Sequence, residues 1–264
     1  MKYLLSLFVL ALSLNASVYY AKVEPYEAYS IKATVSGEVV SVFNEAEGRV
    51  SGGGVLIEID SALNKKELKS SKAKLESLKR TVVLVEKNIR NSKEVERIRE
   101  ESYDRIKNLK TKSQVSKDAE LVNLINASNQ VLSLENSLEN LKVSISDLEF
   151  KVASLEDNIA RKRVSIDKGF FIYKIHINRG NFVNAGTLLV DAYDISKGKL
   201  TIFLSREDVG DAKSKTIYIN GKKSDFKIEK IWRVTDTQNI SSYKAEIIIP
   251  APKRFSELLR VELK

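Results

Sequence analysis

The sequence predicts an α+β fold: a small β-sandwich split in two, interrupted by a long antiparallel α-helical coiled-coil hairpin and followed by a small β-barrel. Three observations lead to this prediction. One long stretch carries an apolar heptad pattern, a glycine-cornered β pattern occurs on both sides of that stretch, and short alternating strands fill the C-terminal region. The chain has 264 residues, of which 43% are hydrophobic and 30% charged, as is typical of a folded protein rather than a disordered one.

The helical region is expected to run from about Ser61 to about Ile166, where Asp167-Lys168-Gly169 breaks it. Its second half carries apolar or small residues at alternating steps of three and four, which defines a heptad seam. The seam consists of Leu124, Ala127, Val131, Leu134, Leu138, Leu141, Ile145, Leu148, Val152, Leu155 and Ile159. One apolar stripe on so long a helix requires a second helix to cover it.

The first half of the region supplies a covering helix. The same alternation is kept by Leu75, Leu78, Val82, Val85, Ile89 and Ser92, and it resumes less regularly at Val95, Ile98 and Ser102. No apolar period occurs from Lys110 to Lys117, so the chain is expected to turn there. Arms of about 45–50 residues, at about 1.5 Å per residue, would be about 70 Å long. The heptads alone leave open a coiled coil between separate chains.

A β pattern with glycines at its corners occurs in residues 31–60 and again in residues 167–192. In the two copies, Gly37, Gly48 and Gly54 correspond to Gly169, Gly180 and Gly186. Each copy alone has one apolar face and nothing to bury it against. We therefore expect the copies to close on each other, which would bring the two feet of the hairpin side by side.

Residues 193–264 are expected to form the β-barrel. The expected strands are 199–204, 216–219, 226–235 and 242–249, with a turn capped by Ser205, a tight turn at Asn220-Gly221 and Trp232 in the core.

Residues 1–16 have the features of a secretory signal peptide: the basic residue Lys2, a short apolar run, and the small residue Ala16 before the expected cleavage site. An uncleaved anchor is the alternative. The chain has no cysteine, which excludes a thiolate metal site. His176 is its only histidine, so no Ser/His/Asp set is available beyond one that uses it. We expect no enzyme activity, cofactor or metal.

The net charge is +9. An exported protein is not in the compartment that contains the chromosome. This positive charge therefore favours binding to anionic lipid headgroups or to an acidic partner over binding to nucleic acid.

This order of elements resembles the periplasmic adaptor proteins, the membrane fusion or HlyD-like family of tripartite efflux pumps. Val35-Ser36-Gly37-Glu38-Val39-Val40, with Gly48, Val50, Gly54, Leu56 and Asp60, is similar to the first half of the family's lipoyl-like domain. The resemblance covers about Ile31 to the C-terminus. It implies that residues 31–60 and 167–192 are the two lipoyl-like halves. The family's membrane-proximal domain, which is built from both chain ends, is expected to be absent or vestigial.

The resemblance also implies a docking site. Arg105, Leu109 and Ser116 match the family's motif of Arg, three residues, Leu, six residues and Ser, and they lie where the heptads break. In the family this tip meets a TolC-type outer-membrane channel. Arg105 would donate hydrogen bonds to carboxylates or carbonyls, Leu109 would fill an apolar gap, and Ser116 would permit close approach. Alternatively, Leu109 closes the seam and Ser116 caps the second arm.

The function implied by the resemblance is that of a non-enzymatic adaptor in the periplasm of a Gram-negative bacterium. It would bridge an inner-membrane transporter of the RND or ABC class to an outer-membrane channel, for export of small molecules. It would be peripheral to the inner membrane and act as a homo-oligomer, a hexameric ring. Two alternatives remain: a pump-independent structural coiled-coil protein of the envelope, and a lipoyl or biotinyl carrier subunit modified on a lysine such as Lys168.

Overall fold

The structure is a computed structural model that describes residues 17–235 and 239–264, so the expected signal at 1–16 lies outside the described residues. The chain divides into two compact units. One is Ile59–Arg163, and the other joins the described residues up to Glu58 with Val164–Lys264. No helix in the described ranges has the length and apolar character needed to cross a membrane.

The helical unit contains α1 (Ala62–Ile106) and α2 (Gln114–Arg161), of 45 and 48 residues. Ion pairs between the helices, with N–O distances of 2.6–2.9 Å, show their register: Lys72–Glu156, Lys79–Glu149 and Lys93–Glu135. From each pair to the next, the residue number on α1 rises by 7 or 14, and the residue number on α2 falls by the same amount. The helices are therefore antiparallel arms of one chain, and they cover each other's seams.

The α2 seam is buried or half-buried along its whole length, with Val131 only 5% exposed. On α1, Leu75 and Ile89 are buried, but Val95 and Ile98 are 51% and 48% exposed. The expectation that the α1 seam resumes at Val95 and Ile98 is wrong. The alternation of three and four continues past Ser92 without a shift, so polar or aromatic residues such as Glu96 and Tyr103 take the half-buried positions.

The described residues form twelve β-strands. They are β1 (Ser17–Lys32), β2 (Gly37–Val42), β3 (Gly54–Ile59), β4 (Arg163–Ile166), β5 (Phe170–Ile175), β6 (Phe182–Val183), β7 (Leu188–Leu204), β8 (Ile217–Ile219), β9 (Lys222–Lys223), β10 (Ile228–Ile231), β11 (Tyr243–Pro250) and β12 (Leu258–Leu263). The hairpin was expected to run to Ile166, but α2 ends at Arg161 and β4 follows it. Val164 and Ile166 alternate with polar neighbours, which is the period of a strand.

The two copies of the glycine-cornered pattern close on each other. The backbone N–H of Gly48 donates to the carbonyl of Ile172 at 2.9 Å, and the N–H of Gly180 donates to the carbonyl of Val39 at 2.8 Å. Val39 and Ile172 are both fully buried. One four-stranded sheet, in the order β4-β3-β2-β6, joins strands from both copies. The split sandwich predicted from the repeat is the arrangement that the structure has.

Two long strands connect the sandwich to the C-terminal sheet. β7 is 17 residues long and runs through the expected boundary at 192/193 without a break. β1 is a 16-residue strand, most of which precedes the sandwich pattern that was expected from residue 31. Its first part pairs with β12, with Ser17 opposite Leu263, and its second part pairs with β7, with Val23 opposite Leu200.

The larger sheet has the order β10-β11-β7-β1-β12-β8-β9, and β5 also pairs with β7. Ile228 of β10, at one edge, and Ile217 of β8, next to the other edge, belong to one core, so the sheet curls around that core. The β8–β9 turn has positive φ at Asn220 (49°) and Gly221 (79°), as a type I′ turn requires. Trp232 lies outside the buried core, because its half-exposed ring is contacted by the ammonium groups of Lys230 and Lys244 at 4.3 and 4.6 Å from its centre.

Candidate docking site at the hairpin tip

The tip, residues 105–117, contains the end of α1, a seven-residue turn and the start of α2. The last turn of α1 is closed by two backbone hydrogen bonds. Lys107 N–H donates to Tyr103 O at 2.9 Å, and Leu109 N–H donates to Ile106 O at 3.0 Å. The backbone of Leu109 is therefore fixed by the helix end.

A serine caps α2, but it is Ser113 rather than Ser116. Ser113 has an extended backbone with ψ of 152°, and its hydroxyl oxygen accepts a hydrogen bond from the N–H of Ser116. This is the geometry of an N-cap bonded to the third helical residue. The alternative in which Ser116 caps the second arm is therefore wrong. The half-buried side chain of Ser116 makes no hydrogen bond with the described residues.

Arg105 and Leu109 both present side-chain surface to solvent. Arg105 is exposed, and its Nη2 donates to the hydroxyl of Ser102 at 3.0 Å on the same helix. Leu109 is 43% exposed, so the seam between the helices does not bury it. The hairpin brings Arg105, Leu109 and Ser116 to the same end of the helical unit, and no direct bond joins them.

Sequence reasoning missed one candidate residue at the tip. Val115 is 79% exposed, which makes it a second apolar side chain open to solvent beside Leu109. Its signal in the sequence is weak, because one valine in a segment without apolar period resembles an ordinary turn residue. Only its position in the first turn of α2, outside the seam, shows that it is available to a partner.

The tip carries five basic residues and no acidic ones: Arg105, Lys107, Lys110, Lys112 and Lys117. Lys107 bonds to Asp104 just outside the tip at 2.8 Å, and this hydrogen bond raises the pKa of Lys107. Among the described residues, the other four side chains form no ion pair. The tip is therefore electropositive, and it is complementary to an acidic or carbonyl-rich surface.

The single histidine belongs to a polar group in the other unit that lacks the geometry of a catalytic triad. His176 Nε2 lies 2.7 Å from Asp191 Oδ2, and Ser30 Oγ donates to Asp191 Oδ1 at 2.9 Å. The hydrogen bond with His176 is the main cause that lowers the pKa of Asp191, although burial opposes it. Because the serine bonds to the aspartate and not to the histidine, nothing activates its hydroxyl as a nucleophile.

No protein-family model matches the chain. No curated protein matches it in sequence either. Solved structures do match it across 94% of its length. MacA from Actinobacillus actinomycetemcomitans has a TM-score of 0.67 and 20% identity, with 78% of that chain covered. A MacA–MexA chimeric protein that contains the Pseudomonas aeruginosa MexA α-hairpin domain has a TM-score of 0.58 and 17% identity, with 78% of that chain covered.

The membrane fusion protein Spr0693 from Streptococcus pneumoniae R6 has a TM-score of 0.59 and 12% identity to the chain, and 98% of its length is covered. At these identities the likeness concerns the fold. The chain therefore has the fold of the membrane fusion proteins, as the sequence resemblance implied.

Proposed function

We propose that the chain is a non-enzymatic periplasmic adaptor that bridges an inner-membrane efflux transporter, of the RND or ABC class, to a TolC-type outer-membrane channel. It works as a homo-oligomeric ring, hexameric as in the family, and is peripheral to the inner membrane. The observation that carries this proposal is a single-chain antiparallel rod whose far end is electropositive and exposes two apolar side chains.

The rod supports a bridging role because of its length and its closed base. Helices of 45 and 48 residues, at about 1.5 Å per residue, span about 70 Å. At the base, Ile59 N–H donates to Lys162 O at 2.8 Å, and Lys162 Nζ donates to Asp60 O and Asn64 Oδ1 at 2.6 and 2.7 Å. These bonds hold the two feet together, so a load on the tip would be transmitted along both helices.

The tip supports docking because it combines charge with apolar surface. In the proposed complex Arg105 donates hydrogen bonds to carboxylates or carbonyls of the channel. Leu109 and Val115 fill apolar gaps between the channel's helices. Ser116, which is small and does not cap α2, allows the two backbones to approach closely.

The proposed ring is supported by a second apolar stripe on α2. The stripe uses two heptad positions, three residues apart, on a side of α2 away from the seam. It consists of Val122, Ile125, Leu132, Val143 and Phe150, each between 48% and 78% exposed. Contact with a neighbouring copy would cover such a stripe. A structural coiled-coil protein of the envelope would use the same contact, so the experiment must separate the two functions.

A photoreactive amino acid in place of Leu109 separates them. We expect irradiation of living cells to join the tip to an outer-membrane channel protein. The same amino acid in place of Leu132, which is 55% exposed on the α2 stripe, is the matched control, and it should yield adducts between copies of the chain. If both positions give only self-adducts, the adaptor proposal is wrong and the structural alternative holds.

A further inference from the structure

We propose that the β unit contains a binding site for an amphipathic organic anion, a molecule with an apolar ring body and one acidic group. The site is a cavity of about 850 Å³, called here the aromatic cleft, between β1, β5, the middle of β7 and the segment 252–256. It lies outside the hairpin, and it requires neither the channel nor the transporter. The inference therefore goes beyond the proposed function.

The walls of the cleft are aromatic. Phe171 of β5 and Tyr193 of β7 are opposite each other in the strand register. The rings of Tyr173 and Tyr193 lie 5.2 Å apart, and Phe255 lines the cleft from the 252–256 segment. Tyr173 is 55% exposed. Flat aromatic surfaces at a solvent opening are suited to a planar or alicyclic ring system.

The charge that lines the cleft is positive. Lys22, Lys199 and Lys253 line it, and among the described residues none of their ammonium groups forms an ion pair. Among the described residues that line the cleft, only Glu24 is acidic, and it is the register partner of Lys199. Its Oε2 already accepts a hydrogen bond of 3.1 Å from Thr201 Oγ1. Ammonium groups beside apolar walls favour an anion over a neutral or cationic molecule of the same shape.

The cleft is formed before any ligand binds. The end of the segment 252–256 is tied to β1 by a backbone hydrogen bond of 2.8 Å from Ser256 N–H to Val23 O, and the next residue, Glu257, accepts one of 2.8 Å from Val23 N–H. The β1 and β7 walls belong to one antiparallel ladder, which shifts register between Pro25 and Glu27. Binding of a ligand would therefore cost little conformational entropy in the protein, because the site is already ordered. Small-molecule pockets typically enclose about 300–1,000 Å³, so the volume suits a drug-sized molecule.

Two fluorescent probes with the same skeleton test the proposal. Anilinonaphthalene sulfonate is an amphipathic anion, and phenyl-naphthylamine is the same molecule without the sulfonate. In titrations of the purified full chain, we expect the anion to bind about tenfold more tightly than the neutral probe. Equal affinity for the two probes would overturn the proposed preference for anions.

Charge-removing variants test the location. Lys22 and Lys253 are exposed lysines of the cleft. The double variant Lys22→Gln and Lys253→Gln should bind the anionic probe about tenfold more weakly, and it should bind the neutral probe as the parent does. The pair Lys222→Gln and Lys227→Gln removes the same charge from exposed positions outside the cleft. That control should bind both probes as the parent does. If both pairs weaken the anion equally, the effect is one of net charge and the site is not the cleft.

An aromatic variant tests the apolar half of the site. Tyr173→Ala should weaken both probes about fivefold or more. Phe182→Ala is the control, because Phe182 is 68% exposed on β6 and does not line the cleft. Unchanged circular dichroism would show that each variant is folded. Undiminished binding of both probes to folded Tyr173→Ala would overturn the proposal.

Discussion

The hydroxyl oxygen of Ser113 accepts a hydrogen bond of 3.2 Å from the backbone N–H of Ser116. Two serines three positions apart therefore differ in role. The side chain of Ser113 caps the N-terminus of α2, whereas the side chain of Ser116 takes no part in this cap. Stability and docking can consequently be altered separately at the tip.

The first prediction concerns these serines. Ser113→Ala removes the N-cap and should lower the free energy of unfolding of the hairpin by about 1 kcal/mol, whereas Ser116→Ala should change it by less than about 0.5 kcal/mol. Urea unfolding followed by far-UV circular dichroism measures both. Ser116→Tyr should leave unfolding unchanged and reduce channel capture from position 109. Equal destabilisation by the two alanine variants would contradict the assignment of the cap.

The second prediction uses two isoleucines of α1 that differ in burial. Ile89 is 8% exposed in the seam, and Ile98 is 48% exposed outside it. Ile89→Ala should cost about 2–4 kcal/mol through lost burial and a cavity, and Ile98→Ala should cost less than about 1 kcal/mol. The chemical change is the same, so the difference in urea midpoint reports position alone. If Ile98→Ala lowered the free energy of unfolding more than Ile89→Ala, the seam would continue at Ile98 as the sequence predicted.

What the sequence could predict depended on whether the information was local. The heptads of the hairpin and the glycine corners of the sandwich recur along the chain, and both were predicted. β1 and β12 were not, because Ser17 pairs with Leu263 and neither segment has a local signal of its partner. At the tip, motif spacing identified Arg105, Leu109 and Ser116. It could not find Val115, and it could not identify Ser113 as the cap, because both depend on where α2 begins.

The third prediction concerns the close approach of strands at Gly198. A Cβ atom there would lie 2.8 Å from Ile249 Cγ1 and 3.2 Å from Pro252 Cδ. Gly198→Ala should therefore destabilise the β unit by about 1–3 kcal/mol through overpacking. Gly210→Ala is the control, since no atom of the described residues, apart from its chain neighbours, lies within 4 Å of an added Cβ there. Thermal unfolding should distinguish the two variants, and a neutral Gly198→Ala would show that β11 yields easily.

A polar cluster around Asp208 ties the start of β1 to the turn after β7. Its carboxylate accepts hydrogen bonds from Ser17 Oγ at 2.6 Å, Lys215 Nζ at 2.9 Å and Ser205 Oγ at 3.0 Å, and from the hydroxyl of Tyr19. Burial opposes ionisation of Asp208. The hydrogen bonds outweigh it and hold the pKa of Asp208 well below its usual value.

The fourth prediction follows from that lowered pKa. A carboxylate with a lower pKa in the folded state than in the unfolded state stabilises the fold above about pH 4 and loses this effect as pH falls through the folded pKa. At neutral pH, Asp208→Asn should cost about 1–3 kcal/mol, and its melting temperature should fall less steeply below about pH 4 than the parent's. Asp225→Asn, at an exposed position, should match the parent. An identical acid profile for Asp208→Asn would exclude Asp208 from the acid response.

The most direct test of the bridging function is co-purification of the tagged chain from crosslinked cell envelopes, with its partners identified by mass spectrometry. We expect an outer-membrane channel and an inner-membrane transporter in the same complex. Arg105→Glu should reduce the yield of the channel about tenfold and leave the transporter unchanged, while Arg80→Glu, an exposed position far from the tip, should reduce neither. Recovery of the chain with copies of itself alone, in parent and variants, would contradict the bridging function.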